Sequence, residues 1–271
     1  MSAAHIILPA LLLTCGFSAR ANAAAELEDR IVYVQTQSAG ATGIHLPGGA
    51  KIEPRSLTRT ITIAVTAQNP DGSALVHVNS HKEPPDNISS IQRSSWEKFA
   101  SGEFQAQLSS EGALLIAQDD MLQPGDLASA QGLSLAEYAK RSQAQASDPG
   151  FQGKATASEI AVSFSIPNAV VLSMAKRKSN AAGDSWRVLS NPEGHPYDVT
   201  ITGTQTVNGH EILLISATGK YEDPVRATVV DAKLSYDPVS HRILSFHSVS
   251  TSNMPSNGIS TTYTTQLDLR Q

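Results

Sequence analysis

Strict alternation of side chains, closed by tight turns, is the feature that most constrains this chain. From Leu57 to Ala67, the residues Ile61, Ile63 and Val65 fall on one side, with Thr60, Thr62, Ala64 and Thr66 on the other. A period of two, rich in β-branched residues, is the pattern of a half-buried strand. Asn69-Pro70-Asp71-Gly72 follows, and Ala74 to Val78 resumes the alternation. Proline second and glycine fourth specify a type I turn closing into a bulge, hence a hairpin. Tyr197 to Thr206, the two-residue turn Asn208-Gly209 and Glu211 to Thr218 make a second hairpin. Ala232 to Tyr236, the turn Asp237-Pro238-Val239-Ser240-His241 and Ile243 to Val249 make a third, and Ile259 to Leu269 is a closing strand.

These segments read as one unit used twice. Setting Asp71-Gly72 against Asn208-Gly209 aligns Ala74–Val78 with Glu211–Ile215, and Phe104–Ser109 then parallels Val230–Ser235. The first half is longer because Lys82 to Gly102 is inserted, including Glu83-Pro84-Pro85-Asp86. The expected fold is therefore mainly β: an antiparallel meander of two related halves, curled into a half-barrel or sandwich, with one or two helices between them. The expected divisions are 1–23 as an export signal, 24–126 as the first β half, 127–154 as a helical connection and 155–271 as the second β half.

One or two helices are expected between the halves. Ser134-Leu135-Ala136-Glu137 forms a capping box, in which Ser134 accepts from the Glu137 amide and the Glu137 side chain reaches back. That helix should run to Ala146 and stop before Asp148-Pro149-Gly150. A second begins near Pro167, carries Val170, Val171 and Met174, and ends in Lys176-Arg177-Lys178. The basic cluster suits either an acidic partner or a solvated helix end, where positive charge complements the dipole.

The N-terminal segment reads as an export signal. Ile6 to Phe17 is an uncharged apolar run of about 12 residues, shorter than the ~20 needed to span a bilayer. Ala21-Asn22-Ala23 follows, and cleavage between Ala23 and Ala24 suits its small residues. Leu12-Leu13-Thr14-Cys15 offers a rival: it resembles the lipobox of bacterial lipoproteins, with Thr14 where Gly, Ala or Ser is usual. The protein is thus expected to act outside the cytoplasm, freely secreted or periplasmic, or tethered through lipid on Cys15. Cys15 is the only cysteine, so a form cleaved after Ala23 has no disulfide and is held by packing. No further apolar run is read as long enough to cross a membrane. Lys and Arg total 20 against 25 Asp and Glu, with no basic stripe, which argues against nucleic acid.

No catalytic, cofactor or metal motif stands. Gly183-Asp184-Ser185 matches the nucleophile segment of GDS-type esterases but lacks the Asp-x-x-His partner. Ser173-Met174-Ala175-Lys176 matches S-x-x-K without a K-T-G. His77 and His81 are the remaining pocket candidates; on a strand they share a face but stand roughly 13 Å apart at about 3.3 Å per residue, too far for one metal ion. The turn after Asn69 pairs His77 with Val65 or, if it has two residues, with Thr66. Val207 should oppose His210, which sets His195 opposite Glu222. His241 occupies the turn position where φ is often positive. Asp119-Asp120 reads as a loop start with a weak claim on calcium, and Asn87-Ile88-Ser89 is a glycosylation sequon.

Ala182-Gly183-Asp184-Ser185-Trp186 and Tyr236-Asp237-Pro238-Val239-Ser240-His241-Arg242-Ile243-Leu244 together resemble segments of a family of exported bacterial β-rich proteins of unknown function, some of them lipoproteins. The second segment is similar to the family's Y-D-P-x-x-G-R hairpin, with His241 where Gly is usual. The resemblance implies an envelope or extracellular setting and a β architecture, and it carries no activity. Two functions follow from these observations. One is a non-enzymatic exported protein that binds an apolar small molecule or an envelope protein. The alternative is an exported hydrolase whose histidine and carboxylate come together only in the fold.

Overall fold

A computed structural model describes residues 30–43, 55–84, 101–123, 147–190, 194–256 and 258–270, with a few isolated positions in 93–100 and 134–145. The signal segment with Cys15, Ala23 and Ala24, the sequon at Asn87 and most of 134–146 lie outside the described residues. Ser134 and Glu137 are described, and they exchange the expected capping-box bonds: the Glu137 carboxylate accepts from the Ser134 amide at 2.9 Å, and the Glu137 amide donates to the Ser134 hydroxyl at 3.3 Å.

Eleven antiparallel strands form one sheet. The first arm is β1 (Arg30–Thr42), β2 (Arg55–Gln68), β3 (Ala74–Lys82), β4 (Ser101–Leu108) and the two-residue β5 (Leu114–Leu115). The second is β6 (Ser185–Leu189), β7 (Pro196–Val207), β8 (His210–Glu222), β9 (Ala227–Asp237), β10 (Arg242–Met254) and β11 (Ile259–Arg270). Each arm is a meander, and β1 pairs with β11 to join them, which gives the order β5-β4-β3-β2-β1-β11-β10-β9-β8-β7-β6. The sheet is not closed: β5 and β6 are its two free edges.

The sheet curls strongly enough for distant strands to touch. The Tyr236 hydroxyl, on β9, donates to the Glu111 carbonyl in the β4–β5 turn at 2.9 Å and lies 3.2 Å from His241 Nδ1. Gly112, at φ +85°, packs so closely on the β9–β10 turn that an added Cβ would meet the His241 carbonyl. His241 itself has φ 53°, as its place in the turn predicts, and Asn208 has φ 51°.

The concave face carries the core. Ile61, Ile63, Val76 and Val78 of the first arm and Val199, Ile201, Ile215 and Leu234 of the second are buried there. Against them lies one helix, α1 (Pro149–Met174), 26 residues long. It starts earlier than the helix expected near Pro167, and it crosses the 154/155 division. Asp148-Pro149-Gly150 starts it, because Asp148 caps the N-terminus by accepting from the Gly150 amide and Pro149 fills a first-turn position. Pro167 sits inside the helix, where tertiary packing on buried neighbours overrides its poor fit. By length and composition α1 could also cross a membrane, which the sequence reading did not foresee, yet half of its most apolar stretch is buried within the fold.

Two threonines shift the expected register. Thr66 is an extra residue in β2, between the pairs Val65–Val76 and Ala67–Leu75, so His77 lies opposite Ala64 rather than Val65 or Thr66. Thr202 does the same in β7, between Ile201–Ile215 and Gly203–Leu214. Val207 does oppose His210, but past this bulge His195 stacks on Tyr221, with ring centroids 3.8 Å apart, instead of facing Glu222. Each threonine hydroxyl donates to the partner strand, to the Leu75 and Leu214 carbonyls respectively, both at 3.1 Å.

Candidate cleft between the sheet edges

α1 fills the apolar part of the concave face, and the space that remains lies beside it. A half-open cavity of about 570 Å³ runs between α1 and the two free edges of the sheet. Leu114, Leu115, Ile116 and Met121 wall it on the β5 side, and Val188 and Leu189 on the β6 side. Ala161, Ala169 and Leu172 of α1 form its floor, where small side chains leave room. This volume falls within the ~300–1,000 Å³ typical of small-molecule sites.

Polar side chains hold the walls in place. Asn168 on α1 pairs with the backbone of the β5 edge as a neighbouring strand would: its Oδ1 accepts from the Leu114 amide at 3.0 Å, and its Nδ2 donates to the Leu114 carbonyl. On the other side, Trp186 Nε1 donates to Ser173 Oγ at 2.7 Å, and that hydroxyl donates in turn to the Val170 carbonyl at 2.7 Å. Ser173 is therefore a strut, with its hydroxyl committed twice, although it shares the cavity wall with Lys176 of the S-x-x-K match. Arg177 lies over the Trp186 ring, 4.3 Å from its centroid, and 3.7 Å from Asp184. The three cations after α1 thus divide: Arg177 is a packing residue, whereas Lys176 faces the cavity.

The residues that the sequence singled out lie elsewhere. His77 and His81 point to the outer face of β3, away from the cavity. His77 Nε2 is 3.3 Å from Glu103, and His81 Nδ1 is 2.8 Å from Ser101 Oγ. His210 Nδ1 and Ser240 Oγ both contact Asp237 Oδ2, at 2.9 and 2.7 Å, at the end of the β9–β10 hairpin. This is not a nucleophile–base–acid relay, because the carboxylate rather than the imidazole stands in the middle. Burial acts to raise the Asp237 pKa, but these bonds and two backbone amides outweigh it and hold the carboxyl far below the usual range. Ser185 Oγ lies 2.8 Å from Thr200 Oγ1, and Asp119 and Asp120 are exposed in a short 3₁₀ turn. Among the described residues, no three His, Cys, Asp or Glu side chains are placed to hold a metal ion.

A polar cluster lies under the N-terminal half of α1. Arg59, only 1% exposed, pairs with Glu159 of α1, and Lys82 reaches the same carboxylate at 2.9 Å. Burial works to raise the Glu159 pKa, but the two cations prevail and hold it below the ordinary carboxylate value. Tyr236, near the Glu111 and Asp237 carboxylates, is pushed up to about 12, chiefly by burial.

No protein-family model matches the chain, and no characterised protein matches it in sequence. Similar solved structures include lipovitellin, at a TM-score of 0.47 and 11% identity over 90% of this chain. The chain spans 25% of lipovitellin's length. A Bacteroides fragilis protein with a YmcC-like fold is similar at a TM-score of 0.26 and 11% identity, over 88% of this chain and 95% of that one. A mutant Rh. blastica porin is similar at a TM-score of 0.25 and 6% identity, over 89% and 99%. These similarities are too distant to bear on function.

Proposed function

We propose that the protein is an exported, non-enzymatic binding protein that holds a small apolar molecule in the cleft between β5, β6 and α1. Export rests on the apolar run and Ala21-Asn22-Ala23 of the N-terminal segment. Binding rests on one observation: a cavity of about 570 Å³ walled by leucine, isoleucine, valine and methionine side chains from both free edges of an open sheet. Such a cavity is stable when an apolar molecule takes the place of water against its walls, and the gain scales with the apolar area covered. The sheet supplies the frame and α1 supplies a floor of small residues.

Dodecanol, a neutral long-chain probe, tests this reading by titration against the purified protein, together with mass spectrometry of solvent extracts from protein isolated from its native source. Ala169→Phe should fill the floor and abolish dodecanol binding without lowering the melting temperature. Equal dodecanol affinity in A169F and the unaltered protein, or extracts no different from a buffer control, would remove the cavity as the site.

A further inference from the structure

We infer that the cleft selects a single-chain amphiphile with an anionic head, the chain against the apolar walls and the head at the rim between Lys176 and Arg187. The inference rests on the cleft being a binding site and adds the charge of what it takes. Among the described residues, Lys176 and Arg187 are the only charged ones that line the cavity, and both are cations. No carboxylate among the described residues pairs with Lys176 within salt-bridge distance. The nearest carboxylate to Arg187 is Asp198, at 3.7 Å, and their side chains are 67% and 76% exposed. An ion pair so long and so open to water contributes little, and it leaves the guanidinium free for a better-placed anion. Arginine and lysine together on one rim offer both a planar fork and a mobile point charge to a carboxylate or phosphate.

The C-terminus of α1 lies beside Lys176, and bare carbonyls there would repel an anion. They are occupied. The Ala175 amide donates to the Val171 carbonyl, the Lys176 amide to Ser173 and the Arg177 amide to Met174, which also accepts from Asn180 Nδ2. The negative end of the helix is thereby partly covered, and Lys176 and Arg187 supply positive charge beside it. Arg177 is withdrawn from it by its stacking on Trp186 and its proximity to Asp184. The outcome is a slot in which leucine, isoleucine, valine and methionine stand beside Gln118, Ser165, Asn168 and Ser173, and the described charges are both positive.

Laurate, dodecanol and dodecyltrimethylammonium have chains of the same length with negative, neutral and positive heads, and titration calorimetry of each against the full protein reads the preference. Laurate should bind about tenfold more tightly than dodecanol at low salt, and the ammonium more weakly than either. The laurate preference should shrink as salt rises, as expected for rim charges. K176Q and R187Q should each reduce laurate affinity about threefold, and in the double variant laurate should bind no more tightly than dodecanol binds to that same variant. Melting temperatures within error of the unaltered protein show that the variants fold. Equal binding of laurate and dodecanol, or a preference that survives in the double variant, overturns the anion inference while leaving the cleft as a site. Failure of all three probes overturns both.

Discussion

The two halves of α1 are attached to the same sheet by different physics. The N-terminal half sits on β4 at backbone distance. A Cβ on Gly102 would collide with the Thr156 side chain, and one on Gly153 would come within 2.9 Å of the Glu103 carbonyl. Charge reinforces that contact through Arg59, Glu159 and Lys82, and Gln37 Nε2 donates to Ser163 Oγ at 3.3 Å. The C-terminal half is attached by shape: Phe164, Val170, Val171 and Met174 are buried, and Phe164 meets Tyr33 edge-on at 5.6 Å. Its opposite side faces the cleft. Close approach at Gly102 and Gly153 and the ion pairs hold the first half tightly against the sheet. Dispersion and small side chains leave the second half with a free face, and that is where the cavity lies.

The largest test of this contrast is Phe164→Ala. The ring is 1% exposed, and its loss should cost about 3–5 kcal/mol, as for other buried aromatics. Since no ionisable group is involved, the loss in denaturant titrations should be similar at neutral pH and in acid. A strongly pH-dependent loss would show that the C-terminal half also leans on charge.

Glu159→Gln probes the other half. Its removal leaves the buried Arg59 guanidinium without its counter-charge, which costs roughly 3–5 kcal/mol in a fully buried pair. Because Glu159 is 44% exposed, about 2 kcal/mol at neutral pH is the expected loss. The sign follows from the lowered pKa: the ion pair contributes its full stability above the ordinary carboxylate value, about 4.3, and loses it as pH falls through the depressed folded value. Stability curves of E159Q and the unaltered protein should therefore converge in acid and separate toward neutrality. A constant offset across that range would assign the loss to packing rather than charge.

Much of the sheet was legible because its turns carry their own chemistry. Asn208-Gly209 and the turn ending at His241 give the strand pairings around them, and positive φ at His241 follows from its position. Thr66 and Thr202 were not legible as bulges: a threonine in an alternating run reads as an ordinary strand residue, and only the hydroxyl bond to the facing carbonyl marks the extra position. That single slip moved His77 and His195 by one partner each. The start of α1 was misread because Asp-Pro-Gly suits a turn as well as a capped helix start. β1 escaped notice because its inward positions pass from Ile31 and Tyr33 to Gln35 and Gln37, which breaks the apolar period. The cleft could not have been found from any local motif, since Leu114 and Val188 meet across an open sheet only through its curl.

Ser173→Ala is the smallest and most discriminating of these changes. It deletes the hydroxyl that receives Trp186 Nε1, leaving a partly buried donor without its partner, at a cost of about 1 kcal/mol. The change in global stability should therefore be slight. The wall of the cleft should respond more, because Trp186 is then positioned without a hydrogen bond to α1, by core packing, Arg177 and its pairing with Val199 on β7. Dodecanol affinity should fall severalfold in S173A and remain unaltered in E159Q at neutral pH, although E159Q is the less stable of the two. That inversion, weaker binding in the more stable variant, follows only if the cavity belongs to the half of α1 held by shape. Should E159Q lose binding as readily as S173A, the two halves act as one rigid floor and the distinction between them concerns stability alone.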